Sequence, residues 1–277
     1  MRNVRRLDGA RRGAEGAASS PPERARPKKS LGQHFLVDEN ILGVIGRLAE
    51  LAPEDVVLEI GPGVGVLTHY LAERVSRVVA VELDMSLEPY LRDSGANVEL
   101  HFGDALQLDL ASLAPGATKL VANLPYNIAT PLLVESLDGL PHVERWCVMV
   151  QREVADRLFA TPSTKAYGAV SVLVQLVCER TGFHPVSRTV FRPPPNVDSA
   201  LVAFRRVALP DQYPRIKQVV SAAFGHRRKT LPNSLELAGV ASRADAAQAL
   251  DAIGRDSRAR AEALEPQEFV ALTQALS

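Results

Sequence analysis

Asn123-Leu124-Pro125-Tyr126 places an amide, a ring that stiffens the backbone and an aromatic face within four residues. An aromatic amine is a poor nucleophile, because its lone pair is delocalised into the ring. A catalyst that alkylates one must therefore hold the nitrogen in line with the electrophile. The Asn123 side-chain oxygen and the Leu124 carbonyl are two acceptors for the two hydrogens of such an amine, and together they would turn the lone pair outward. Pro125 restrains the turn, and Tyr126 offers a face to a base lifted out of its stack. No strong general base is needed, since the proton leaves only after the nitrogen has gained positive charge. Taken alone, the tetrapeptide also reads as a type I turn with a capping Asn before a helix near Thr130.

A second group precedes it. Glu59-Ile60-Gly61-Pro62-Gly63-Val64-Gly65 follows a strand-like run and opens a helix-like one, so Gly61 and Gly63 permit a tight turn and a close approach of ligand to backbone. The spacing is not G-x-G-x-x-G, and Pro62 removes an amide that a pyrophosphate would use, so a ligand without phosphate is favoured. Glu82, about twenty residues on, is suited to accept from both hydroxyls of a ribose. Asp104 can accept from an adenine amine. Each feature alone has a plain reading, a strand-to-helix turn or a solvated acid. Their coincidence at the carboxyl edge of successive strands points to an adenosyl ligand, and Asn123 stands at the fourth such edge.

The elements that must position these residues are legible as alternating runs. VVLEI, VLTHYLAERV, RVVAVELD, a helical stretch from Met85, NVELHFGD, KLVAN and RWCVMVQ follow one another. The strand-like runs are β-branched and lack polar alternation, as strands buried on both faces of a parallel sheet do. A doubly wound α/β domain is expected over 28–207. After DSALVAFRRV the composition turns to Ala, Leu, Gln and Arg in helical periods broken at Gly239, Gly254 and Pro266, which predicts a small helical domain over 208–277. Residues 1–27 mix Arg, Gly, Ala, Ser and Pro without apolar periodicity and are expected to be a disordered basic extension, with an organellar transit peptide as the alternative.

The 277 residues, 46% apolar, suffice for one full core and a small second one. No run is long enough to span a bilayer and no apolar signal core is present, so a soluble, cytoplasmic protein is expected. Cys147 and Cys178 sit inside apolar runs and read as reduced, buried hydrophobes, with no metal site. The formal charge of zero is a sum of +5 over residues 1–49, −8 over 50–204 and +3 over 205–277. Basic ends around an acidic middle suit a polyanion gripped at its edges, although solvated charge is the commoner explanation of blocks of this size.

With these motifs in place, the chain resembles the ribosomal RNA adenine dimethylases. Lys28-Lys29-Ser30-Leu31-Gly32-Gln33-His34-Phe35-Leu36 is similar to the family's K-x-x-x-G-Q-[NH]-F-L signature, Asn123-Leu124-Pro125-Tyr126-Asn127-Ile128 to its catalytic loop, and Phe191-Arg192-Pro193-Pro194-Pro195-Asn196-Val197-Asp198-Ser199 to its F-x-P-x-P-x-V-x-S segment. The resemblance runs from about Lys28 to the end. It implies a Rossmann-like class I methyltransferase sheet with a small C-terminal helical domain that binds rRNA, and S-adenosyl-L-methionine as cofactor. It further implies dimethylation of the N6 amine of two adjacent adenosines near the 3′ end of 16S rRNA within the immature small subunit, by a monomer. His34 and Leu36 match positions that line the methionine end of the cofactor, and Phe191 would be a second stacking face beside Tyr126.

The chain departs from the family at Gly225-His226-Arg227-Arg228-Lys229-Thr230-Leu231-Pro232, where the usual Gln is His226 and Pro232 is expected to end or kink the helix. Arg227, Arg228 and Lys229 are candidate phosphate contacts. Other readings stay open: a macrolide-resistance type of methyltransferase acting on large-subunit rRNA, a mitochondrial relative with a transcription role, and an assembly factor that acts mainly by binding. A protein glutamine methyltransferase would carry N-P-P-Y, and Leu124 stands against it.

Overall fold

The computed structural model describes residues 27, 28 and 33–276. The extension expected over 1–27 falls, Pro27 apart, outside the described residues, as do Lys29–Gly32 of the N-terminal signature. The described chain divides into two compact units, one reaching to Arg152 and including Arg180–Arg205, the other made of Glu153–Glu179 and Arg206–Ser277.

The first unit is built on a sheet of seven strands. β1 (Phe35–Leu36) stands outside it and α1 (Glu39–Ala49) precedes it; β2 (Val56–Ile60), α2 (Val66–Ala72), β3 (Arg77–Glu82), α3 (Glu88–Leu91), β4 (Val98–Phe102), α4 (Leu110–Leu113), β5 (Lys119–Asn123), α5 (Ala129–Gly139) and β6 (Arg145–Gln151) then alternate. The sheet is completed by β7 (Cys178–Val186) and β9 (Ser199–Arg206), while the short β8 (Phe191–Arg192) pairs with β1 instead. Its strand order is β4-β3-β2-β5-β6-β9-β7, with β2 to β6 parallel and β9 antiparallel to β6. The chain leaves β2 towards β3 and β4, then returns to the other side of β2 as β5. A crevice must open there at the carboxyl ends of β2 and β5, which is where such sheets bind ligands.

The runs that read as doubly buried strands are so: Val57, Leu58, Val78, Val79, Leu120 and Val148 are fully buried. α1 shows why the flanking helices form where they do. Asp38 caps it by accepting from the Asn40 amide, and Ile41, Leu42, Ile45 and Ala49 recur at helical spacing to make one buried stripe. Cys147 and Cys178 are free and buried, and burial pushes both thiols up to about 12.

The second unit is helical: α6 (Arg152–Leu158), α7 (Ala169–Val177), α8 (Tyr213–Gly225), α9 (Leu231–Leu237), α10 (Arg243–Ala252) and α11 (Pro266–Ala275). It is larger than the expected 208–277, because residues 153–179 belong to it. The apolar α7 packs on α8 and α11, and Tyr167, fully buried, donates to the Leu264 carbonyl at 2.8 Å. Gly239 and Gly254, both with positive φ, follow the ends of α9 and α10, and Pro266 opens α11, so all three sequence breaks fall at helix ends. Pro232 neither ends nor kinks a helix. α8 has already stopped at Gly225, and Pro232 occupies the first turn of α9, where its missing N–H costs nothing. Among the described residues no helix is long and apolar enough to cross a membrane.

Candidate active site

A single cleft at the carboxyl edge of β2, β3, β4 and β5 brings together His34, Leu36, Gly61, Gly63, Glu82, Asp104, Asn123, Leu124, Pro125 and Tyr126. The glycine loop and the Asn-Leu-Pro-Tyr turn touch. Gly61 has φ +72°, and a Cβ there would meet the Pro125 ring at 3.0 Å, so position 61 needs glycine for both its conformation and its neighbour.

Glu82 closes the loop from the β3 side. Its Oε2 accepts from the Gly63 amide at 3.1 Å and its Oε1 from the Asp84 amide at 2.8 Å, which fixes the carboxylate at the edge of the cleft. Burial raises its pKa, and the backbone amides of Asp84, Gly63 and Leu83 oppose that rise. Asp84 is anchored in turn. Burial pushes its carboxyl up, but Lys28 at 2.6 Å, Ser86 and Gln33 at 3.0 Å together hold it down at about 2. Asp104, exposed, accepts from the Leu106 amide at 3.0 Å and borders the cleft where an adenine amine was expected.

On the β5 side, Asn123 donates through Nδ2 to the His34 carbonyl at 3.3 Å, so Oδ1 is the acceptor it offers to the cleft. His34 stacks on Tyr126 with ring centroids 5.7 Å apart, and its Nδ1 lies 2.8 Å from the Pro193 carbonyl, which can only accept. The Tyr126 hydroxyl shares a 2.7 Å hydrogen bond with Ser199; burial raises its pKa, so it stays protonated.

Phe191 does not take the place expected of it. It is fully buried in the apolar cluster that holds Leu36, Met149 and Leu201, paired in register with Leu36, and it does not line the cleft. A ring covered on all sides has no face to offer a base, and the ring that Tyr126 meets is His34. Arg227, Arg228 and Lys229 lie in the turn between α8 and α9, within the helical unit. Arg227 is engaged there by the Tyr167 carbonyl at 3.1 Å, the Lys165 carbonyl at 3.4 Å and Glu262 at 3.7 Å; Arg228 and Lys229 are exposed.

The residue that sequence reasoning passed over is Glu59. It sits in β2, 1% exposed, lines the cleft, and its Oε2 has no hydrogen-bond partner among the described residues. Burial, reinforced by the Glu82 charge and opposed by the neighbouring Thr68, raises its pKa from 4.5 to about 8. The signal was available: one acid inside VVLEI, a run otherwise buried on both faces, is costly unless something compensates it.

Comparison with known proteins places the chain in a family. A family model described as ribosomal RNA adenine dimethylase matches residues 24–276. A Rubrobacter xylanophilus protein named ribosomal RNA small subunit methyltransferase A is 49% identical over 256 residues, covering 91% of this chain and 96% of that one. A Geobacter metallireducens protein of the same name is 43% identical, covering 92% and 97%. Among solved structures, a dimethyladenosine transferase from Plasmodium falciparum superposes with a TM-score of 0.73 at 25% identity, covering 86% of this chain and 96% of that one. The 23S rRNA methyltransferase ErmE gives 0.61 at 29%, covering 87% and 99%.

Proposed function

Since the chain belongs to the ribosomal RNA adenine dimethylase family, we propose that it dimethylates the N6 amines of two adjacent adenosines near the 3′ end of 16S rRNA in the immature small subunit, using S-adenosyl-L-methionine in the cytoplasm. Its fold is the Rossmann-like class I methyltransferase fold. The observation that carries the proposal is that the Asn-Leu-Pro-Tyr turn and the glycine loop with Glu82 share one cleft. Relatives at 49% and 43% identity bear small-subunit names, which supports that subunit over the large one.

The residues fit the cofactor. The fixed Glu82 carboxylate is placed to accept from a ribose hydroxyl, Asp104 borders the cleft where an adenine amine would lie, and Glu59 Oε2, buried without a partner among the described residues, suits a cationic amino-acid end near His34 and Leu36. S-adenosylmethionine supplies the electrophilic methyl carbon when bound. Asn123 Oδ1 and the Leu124 carbonyl accept from the adenine amine and aim its lone pair. Tyr126, its one face taken by His34, offers the base its other face. Incubating the purified protein with unmethylated small subunits and cofactor, then digesting the 16S rRNA for mass spectrometry, should yield N6-dimethyladenosine; no methylated adenosine would end the proposal.

For RNA docking by the helical unit, Arg228 and Lys229 are the better candidates and Arg227 is a brace. Replacing both exposed cations with Ala should reduce the slope of log affinity against log salt by about 1.4, at about 0.7 per single-strand phosphate contact. An unaltered slope would leave them as solvated turn residues.

A further inference from the structure

The segment from Ser187 to Ser199 is tied to the base-holding turn at several points. Ser199, 1% exposed, bonds to the Tyr126 hydroxyl at 2.7 Å, and the Pro193 carbonyl bonds to His34, which stacks on the same tyrosine. Asp198 accepts from the Arg188 amide through Oδ1 at 3.1 Å and from the Arg152 amide through its carbonyl at 3.0 Å. Arg192 pairs with Phe35 next to His34, and Pro193, Pro194 and Pro195 leave the segment little backbone freedom.

Two exposed cations stand on it. Arg192 donates through Nη1 to the carbonyls of Thr189 at 3.4 Å and Phe191 at 3.2 Å, and Arg188 through Nη1 to the Asn196 carbonyl at 3.5 Å. Each guanidinium is thus braced at one end, with Nε and Nη2 left as donors. A braced fork loses less side-chain entropy when it grips an anion than a free one does. Cations are what hold an RNA backbone, and these two sit on the segment that is bonded to Tyr126. Lifting a base out of its stack costs free energy, and contacts to the flanking phosphates fix the position of the strand while it happens.

We propose that Arg188 and Arg192 form a clamp for the RNA phosphates that flank the adenosine presented to Tyr126, an inference that rests on the function proposed above. The test uses the full chain with unmethylated small subunits as probe and Arg188→Ala, Arg192→Ala, the double variant and the corresponding Lys variants. The double Ala variant should raise KM for subunits about tenfold and lower the salt slope of binding by about 1.4. Its kcat at saturating subunits and its cofactor affinity should stay within about twofold of wild type, and Lys at both positions should restore the salt slope. An unmoved KM and slope would overturn the clamp, as would a loss of kcat and cofactor affinity together, since that would mean the arginines only shape the segment. A wild-type protein that transfers no methyl group to these subunits would overturn the functional reading instead.

Discussion

Asn123→Ala should bind S-adenosylmethionine nearly as tightly as the wild type and turn over about a hundredfold more slowly. The reason lies in which end of the amide is committed. Nδ2 is held by the His34 carbonyl, so Oδ1 is the end presented to the adenine amine. An acceptor that pulls one N–H into place does little for a planar amine at rest, but it matters when the lone pair must leave conjugation and point at the methyl carbon. The loss therefore falls on kcat rather than on the affinity for either substrate. Calorimetry with the cofactor alone and single-turnover methylation of unmethylated subunits separate the two. If the whole deficit appeared in cofactor affinity, or if the single-turnover rate stayed within about threefold of wild type, Asn123 would have no part in orienting the amine. Tyr126→Phe is the companion control. It removes the hydroxyl that bonds to Ser199 and keeps the ring, so it should retain more activity than Tyr126→Ala if stacking is what Tyr126 provides.

The parallel strands and the cleft were legible in the sequence for one physical reason. Strands buried on both faces cannot alternate, so VVLEI, RVVAV, KLVAN and WCVMV betray themselves, and the functional residues of such a sheet must collect where those runs end. What escaped depended on which surface a residue packs against. AVSVLVQLV reads as a buried helix in either unit, and only its packing on α8 and α11 assigns it to the helical one. Phe191 has the composition of a stacking ring, yet pairing with Leu36 sinks it into the core. The helical run before Pro232 ends at Gly225 without a break that the local sequence marks, so the proline falls in the first turn of the next helix. His34 was read through the family signature, and its stacking on Tyr126, far along the chain, has no local trace. Glu59 stands in the sequence as the acid before the glycines, but its importance comes from one buried oxygen without a partner among the described residues, which a sequence does not display.

The affinity for S-adenosylmethionine should rise with pH up to about 8 and then level off, and Glu59→Gln should abolish that rise. In the free protein the Glu59 carboxyl, pushed up to about 8 chiefly by burial, is largely protonated at neutral pH. A bound cation favours the carboxylate, so binding expels a proton below pH 8 and gains at most tenfold in affinity per pH unit; above it the proton is already gone. Calorimetry in buffers of different ionisation enthalpy would count that proton directly. Stability carries the opposite sign. A carboxyl whose folded pKa lies above its ordinary 4.5 loses stability as pH climbs from about 4.5 to about 8, by roughly 5 kcal/mol for the whole interval. Cofactor-free Glu59→Gln should therefore unfold at nearly the wild-type temperature at pH 5 and at a higher one at pH 9. Glu82→Ala supplies the contrast: it should weaken cofactor binding by roughly 1.5–3 kcal/mol through lost hydrogen bonds to a charged group, while a rise in affinity with pH persists and levels off below pH 8, because the Glu82 charge no longer raises the Glu59 carboxyl. Pure loss of affinity in Glu59→Gln with the pH dependence intact would mean that another group titrates. No proton released by the wild type on binding at pH 7 would mean that Glu59 is already ionised in the empty cleft, and the pairing of its orphaned oxygen with the cofactor's cation would have to be given up.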